Sequence, residues 1–272
     1  MNPLLRAELR IGAAAPASGG CIHRCYLITV EGERRFLKVN DARFEDAFAA
    51  EADGLAALRK AGLRAPEPLA HGVAGGEAYL LLEPLELQAR GDFAALGVML
   101  AAAHRCAGPR FGWRRDNYLG ATPQANGWHE EWAGFWCERR LRPQLALAKQ
   151  NGFQVEEIPV GNILRTHRPQ ASLLHGDLWS GNAGFLPGGA PVVFDPAVYY
   201  GDREADLAMT ELFGGFPREF YAAYEQAYPL ERGYDRRKHL YNLYHLLNHL
   251  NLFGSGYLGQ VQRTLGLLRD SL

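Results

Sequence analysis

Apolar and polar positions change rhythm along this 272-residue chain. Asn2 followed by Pro3 predicts the cap and first turn of a short helix through Arg10. Two apolar runs come next, Cys25–Val30 and Arg35–Val39. The tight turn Glu31-Gly32-Glu33 separates them, so they predict a strand–turn–strand unit. From Asp41 to Ala61 the period lengthens, and Phe44, Phe48, Leu55 and Leu58 fall on one helical face. Gly62 closes that helix, and Pro66 and Pro68 keep the chain extended. Ala78-Tyr79-Leu80-Leu81-Leu82-Glu83 is another apolar strand. It stops at Pro84, which has no N–H to give.

From Asp92 onward the pattern is mostly helical. Asp92 caps a helix to about Cys106, and further helices are predicted at about His129–Lys149, Val155–Arg165, Arg218–Tyr228 and Asp235–Leu268. Leu173-Leu174 and Val192-Val193-Phe194 are short strands, the second reached through a Pro-Gly-Gly hairpin. A helix begins near Arg203, with Asp202 placed as its N-cap and Asp206 in its first turns. Strands early and helices late predict an α+β fold.

Composition narrows the picture. The apolar fraction of 47% supports a full core and argues against disorder. Net charge is −1, so no global field draws the chain to nucleic acid or to an anionic membrane. The longest apolar run, Phe93 to Ala103, is too short to span a bilayer. The first residues show no signal-peptide pattern, and a cytoplasmic location is expected. Four cysteines in this length suit a reducing compartment better than a disulfide framework.

The candidate chemistry centres on Leu173-Leu174-His175-Gly176-Asp177-Leu178-Trp179-Ser180-Gly181-Asn182 and the strand that ends on Asp195. The spacing Asp-x-x-x-x-Asn, with an Asp closing the next strand, matches the kinase catalytic loop. In that arrangement Asp177 accepts the proton of an attacking hydroxyl, and Asn182 and Asp195 hold the metal. Lys38 alternates onto the face of Phe36 within an apolar strand. A lysine there is either solvated or aimed into a cleft with an anionic partner, and Glu51 on the next helix is in reach. Beside the Asp177 stretch, the pair is read as the kinase device that orients a phosphate-binding lysine. The segment Ser18-Gly19-Gly20-Cys21-Ile22 is either a surface turn or a loop whose N–H groups approach phosphates. If Glu83-Pro84-Leu85 is an interlobe hinge, adenine meets the Glu83 carbonyl and the Leu85 N–H.

Other features invite a simpler reading. Aromatics at helical spacing, such as Trp132, Phe135 and Trp136, are core. Those of the irregular stretch, Phe111, Trp113, Tyr118 and Trp128, are either core or the lining of a substrate cleft. His245 and His249 lack the glutamate and third ligand of a zinc site and are expected to be hydrogen-bonded core histidines.

Taken together, these residues resemble the fructosamine kinase (ketosamine-3-kinase) family of the aminoglycoside-kinase branch. The resemblance rests on Gly19-Gly20-Cys21-Ile22, Phe36-Leu37-Lys38-Val39, Phe111-Gly112, Asp116-Asn117-Tyr118-Leu119-Gly120 and Pro123-Gln124 with Asn126-Gly127-Trp128. It continues through Arg140-Leu141-Arg142-Pro143-Gln144, His175 to Asn182, Phe194-Asp195-Pro196-Ala197, Gly201 to Ala208 and Asn248 to Gly254. It implies a protein-kinase-like bilobal fold, with an N-lobe over residues 1–84, a hinge over 85–91 and a helical C-lobe over 92–272. It also implies ATP and Mg²⁺, and phosphorylation of the sugar 3-hydroxyl of a ketosamine, free or protein-bound, leading to deglycation. Bacterial-looking members are expected to prefer ribulosamines or erythrulosamines. Trp179 would wall the sugar, Lys38 would contact the phosphates, and Cys21 would either link two copies on oxidation or be a small buried residue. A kinase of another small alcohol and an ATP-binding pseudokinase remain the alternatives.

Overall fold

The computed structural model describes residues 1–17, 22–156, 159 and 161–270. The N-terminal part holds α1 (Pro3–Glu8), β1 (Ile11–Ala17), β2 (Arg24–Val30), β3 (Glu33–Asp41), α2 (Glu45–Lys60), β4 (Pro68–Ala74) and β5 (Glu77–Leu82). The strands form one antiparallel sheet in the order β1-β2-β3-β5-β4. Alternation sorts its two faces. Leu37 and Val39 join Ile28 and Leu5 of α1 on one side. Ala78, Leu80 and Leu82 meet Phe48, Leu55 and Leu58 of α2 on the other. Lys38 lies between Leu37 and Val39 in sequence and so faces α2. The edge strand β1 was not anticipated. Its small residues are almost all exposed, so it carries no apolar alternation to detect.

The chain continues as α3 (Phe93–His104), β6 (Phe111–Trp113), β7 (Asn117–Leu119), β8 (Thr122–Gln124), β9 (Gly127–His129), α4 (Trp132–Phe135) and α5 (Arg142–Gln150). Next come α6 (Gly161–Leu164), β10 (Ser172–Leu174), β11 (Ala183–Phe185), β12 (Pro191–Val193) and β13 (Tyr199–Gly201). It closes with α7 (Glu204–Leu212), α8 (Arg218–Ala227), α9 (Tyr234–Phe253) and α10 (Leu258–Arg269). No helix among the described residues is long and apolar enough to cross a membrane.

Three predicted helices are interrupted. The helix expected from His129 starts at Trp132 and widens into a π turn over Trp136–Leu141. That turn ends just before Pro143, which cannot donate to the carbonyl of Arg139. The helix expected over Val155–Arg165 is, among the described residues, confined to Gly161–Leu164. The long last helix breaks at Gly254, whose φ of 87° lies in the left-handed region, and resumes as α10.

The aromatics Phe111 and Trp113 are buried core residues, not the lining of a cleft. The polar residues beside them form one buried network. Asn117 Nδ2 donates to Val198 O at 2.7 Å, and Gln124 Nε2 donates to Asn117 Oδ1 at 2.7 Å and to Ala197 O at 3.2 Å. Tyr244 of α9 donates its hydroxyl to Gln124 Oε1 at 2.7 Å. Arg140, fully buried, donates to Ala125 O and Asn126 Oδ1, each at 2.7 Å. Its guanidinium lies over the rings of Tyr199 and Phe135 at 4.1 and 4.6 Å. Replacing Arg140 with Met keeps an apolar stem but leaves two acceptors unpaired. We expect the variant to lose about 3 kcal/mol of stability in urea unfolding, whereas a loss under about 0.5 kcal/mol would contradict this reading of the network.

Candidate active site

Lys38 is only 4% exposed. Its Nζ donates to Glu51 Oε1 at 2.6 Å and to Asp195 Oδ1 at 2.5 Å. Burial alone would favour the neutral amine. The two carboxylates outweigh it and hold the lysine above its ordinary pKa. The three residues come from β3, α2 and the end of the strand led by β12, so one cation joins three elements. Asp195 reaches it with a left-handed backbone, φ 58°. An aspartate tolerates that conformation better than most side chains.

The loop after β10 is fixed from beneath. Asp206 of α7 accepts from the backbone N–H groups of His175 at 2.7 Å and Gly176 at 2.8 Å, and pairs with His104 Nε2 at 3.1 Å. Gly176 has φ 82°, and a Cβ there would overlap the Ala197 carbonyl oxygen. His175 Nε2 donates to Phe194 O at 3.0 Å, and its own carbonyl accepts from Ala197 N at 2.9 Å. The loop carrying Asp177 and the segment carrying Asp195 are thereby pinned to each other.

Asn182 Nδ2 donates to Asp177 O at 2.8 Å and to Asp177 Oδ2 at 3.1 Å. Its amide oxygen is left as a donor of the hard type that magnesium prefers. The Asp177 carboxyl is pushed up to about 7, first by burial and then by the charge of Asp195. Asn182 and the carboxylate of Asp195 fit a divalent cation by the chemistry of their oxygens. A second group, His167, Asp202 and Glu204, also brings its ligand atoms within 4.8 Å of one another. Its atoms are already engaged: Asp202 takes His167 at 2.7 Å and Tyr241 at 2.5 Å, and Glu204 takes Arg237 at 2.6 and 2.7 Å. Asp202 also accepts from Glu204 N at 3.1 Å, in keeping with its expected capping role.

The remaining predicted residues fall as follows. Gly19, Gly20 and Cys21 lie outside the described residues. Just after them, Asn40 Nδ2 donates to Ile22 O at 3.1 Å and meets His23 Nδ1 at 2.9 Å. The Glu83 side chain forms a two-pronged pair with Arg64, which holds its carboxyl below the ordinary range. Leu85 follows Pro84 and is half-buried. Trp179 is half-buried, with its ring 6.0 Å from Phe213. Phe213 lies 4.6 Å from His249, and His249 lies 5.1 Å from Tyr257. This aromatic row was missed in the sequence because its members come from three separate segments.

One expectation needs correction. His249 Nδ1 does bond the carbonyl of His245 at 2.9 Å. His245, however, is buried with no hydrogen bond at Nδ1, which sits 3.9 Å from Asp177 Oδ1. Burial pushes its pKa down to about 3, so it is neutral. It belongs to the wall of the site. The four-residue spacing of the histidine pair on α9 was the available signal.

A small antiparallel sheet with a paired helix, a helical second part, and two carboxylates and an amide gathered on two adjoining loops define a protein-kinase-like phosphotransferase. The chain belongs to the fructosamine kinase family, whose family model matches residues 2–270. A protein named probable ketoamine kinase from Synechocystis is 48% identical over 267 residues, covering 94% of this chain and 90% of that one. A crystal structure named as a fructosamine-3-kinase from Haemophilus somnus superposes with a TM-score of 0.90 at 33% identity, over 97% of this chain and 95% of that one. An aminoglycoside phosphotransferase, APH(4)-Ia, in ternary complex with ADP and hygromycin B, superposes with a TM-score of 0.63 at 15% identity, over 98% of this chain and 95% of that one. At that identity it shares the fold alone. The chain is an ATP-dependent phosphotransferase.

Two measurements test the local electrostatics. The folded pKa of Asp177 lies above its unfolded value, so the ionised carboxylate destabilises the fold at high pH. We expect Asp177→Asn to raise ligand-free stability near about pH 8 by an amount on the order of 2 kcal/mol, with the gain fading as pH falls from about 7 toward about 4. A gain independent of pH, or a loss, would contradict the burial argument. Asp206→Asn leaves at least one loop N–H unpaired and should cost about 3 kcal/mol in urea unfolding.

Proposed function

We propose that this kinase transfers the γ-phosphoryl group of ATP to the 3-hydroxyl of a ketosamine, and that the product then breaks down to release the amine. The observation that carries the reading is the pair of joined clusters: Lys38 shared by Glu51 and Asp195, beside Asp177 held by Asn182. In this reading Asp177 takes the proton of the sugar hydroxyl as its oxygen attacks phosphorus, and the bond to ADP breaks. A carboxylate poised near neutrality suits that step. Lys38, kept in place by Glu51, contacts the nucleotide phosphates. Asn182 and Asp195 would hold Mg²⁺, which when bound would supply neutralising charge for the phosphates. The backbone of Glu83 and Leu85 meets adenine between an N-lobe of residues 1–84 and a C-lobe of residues 92–272, with residues 85–91 as the hinge. The backbone at Gly19, Gly20 and Cys21 covers the phosphates.

Substrate choice is assigned to the Trp179 side of the site. Its aromatic row offers flat apolar faces to a sugar adduct and has no acidic side chain among its members, in contrast to what a polycationic antibiotic requires. Once phosphate is on C3, beside the ketosamine carbonyl carbon, it is a leaving group: loss of a C1 proton gives the enaminol, which expels inorganic phosphate, and water hydrolyses the resulting imine to free the amine and a 3-deoxydicarbonyl.

The test is ATP consumption with ribuloselysine, fructoselysine, kanamycin and choline, using Asp177→Asn as the blank. Turnover on a ketosamine alone, abolished in the variant, is the expected result. Turnover on kanamycin or choline would move the substrate. Unchanged activity in Asp177→Asn would remove the base assignment.

A further inference from the structure

The pair Lys38–Glu51 depends on where α2 lies, and α2 is held from outside its own sheet. Gly54 sits in the interior of α2, where alanine is the better helix former. A Cβ at Gly54 would come 3.2 Å from Pro196 Cγ and 3.3 Å from Val198 Cγ1, tighter than ordinary packing. The helix therefore rides directly on the chain that follows Asp195. At the neighbouring position, Asp53 Oδ2 accepts from the indole Nε1 of Trp113 at 2.8 Å, and Arg114 bonds its other oxygen. Two turns earlier on the same helix face, Asp46 accepts from Arg115 Nη2 at 2.5 Å and from the Tyr118 hydroxyl at 3.1 Å. All four donors come from residues 113–118, between β6 and the middle of β7. Trp113 is itself buried against Tyr200, with ring centroids 5.4 Å apart. The segment after Asp195 contains no Ala-Pro-Glu and no phosphorylatable activation stretch. No docked activation segment, the device that positions the equivalent helix in protein kinases, is found among the described residues.

We infer that Asp53, clasped by Trp113, is a positioning residue that keeps α2 and Glu51 in register with Lys38 before any ligand arrives. The exposed pair with Arg114 adds little, because surface ion pairs are weak. The bond that matters is the buried indole N–H. The clasp replaces a switch with a fixed contact, so the lysine pair is assembled in the resting enzyme. This rests on the role proposed above for Lys38 and Glu51.

The test is a double-mutant cycle on steady-state kinetics and thermal stability. Asp53→Ala should raise KM for ATP about tenfold and leave KM for the ketosamine unchanged. Asp53→Asn keeps an oxygen that can accept from Trp113 and should stay within about threefold of the parent. Trp113→Phe keeps the packed ring and removes only the N–H. It should reproduce the Asp53→Ala pattern, and it stands in if that variant does not fold. Combined with Glu51→Gln, Asp53→Ala should add less than about a threefold further change, because both act through one contact. Multiplying effects, equal losses in Asp53→Ala and Asp53→Asn, or a rise in both KM values would overturn the clasp alone. A Glu51→Gln enzyme with unaltered KM for ATP and kcat would overturn the lysine-pair reading and the clasp with it.

Discussion

The structure is arranged around one buried cation. An ammonium group taken out of water is tolerable only when anions and hydrogen bonds replace its hydration. Lys38 meets that condition with Glu51 and Asp195, which are far apart in sequence. The requirement dictates much else. β3 must present Lys38 on the α2 side of the sheet, α2 must bring Glu51 to it, and the chain after β12 must turn sharply so that Asp195 reaches the same point. The left-handed backbone at Asp195 is the local cost of that turn, of order 1 kcal/mol or more.

Around this centre the buried polar residues act as scaffold. Asn117 and Gln124 hold the carbonyls of Val198 and Ala197, just past Asp195; Tyr244 in turn holds Gln124, and Arg140 holds Asn126, which donates to Asn117. On the opposite side, Asp206 holds the backbone of His175 and Gly176, just before Asp177. Asp177 and Asp195 are each gripped through their flanking backbone, while the Asp177 carboxylate accepts from Asn182 and that of Asp195 accepts from Lys38. Asn117, Gln124 and Tyr244 do this without adding charge, whereas the Asp206 carboxylate helps to push the Asp177 carboxyl up.

Much of this was legible in the sequence, and the reasons differ by residue. Asp177, Asn182 and Asp195 were readable because their spacing follows a chemical requirement that few loops share. Lys38 and Glu51 were readable because a charged residue in an apolar strand demands a partner. The helix α3 and its Asp92 cap followed from local rules alone. Edge strand β1, the π turn before Pro143 and the break at Gly254 depend on packing or on single backbone angles, and no apolar period reports them. The aromatic row from Trp179 to Tyr257 and the place of His245 beside Asp177 are products of tertiary convergence. The asparagines and glutamines of the middle segment stood out as family motifs, but only their contacts reveal them as supports.

The most direct measurement is the single-turnover rate of phosphoryl transfer from ATP to ribuloselysine in Lys38→Met. Methionine keeps the apolar stem and removes only the cation that joins Glu51 to Asp195. The account predicts a folded protein whose transfer rate falls by at least about a hundredfold. A folded Lys38→Met enzyme that transfers at the parental rate would contradict it.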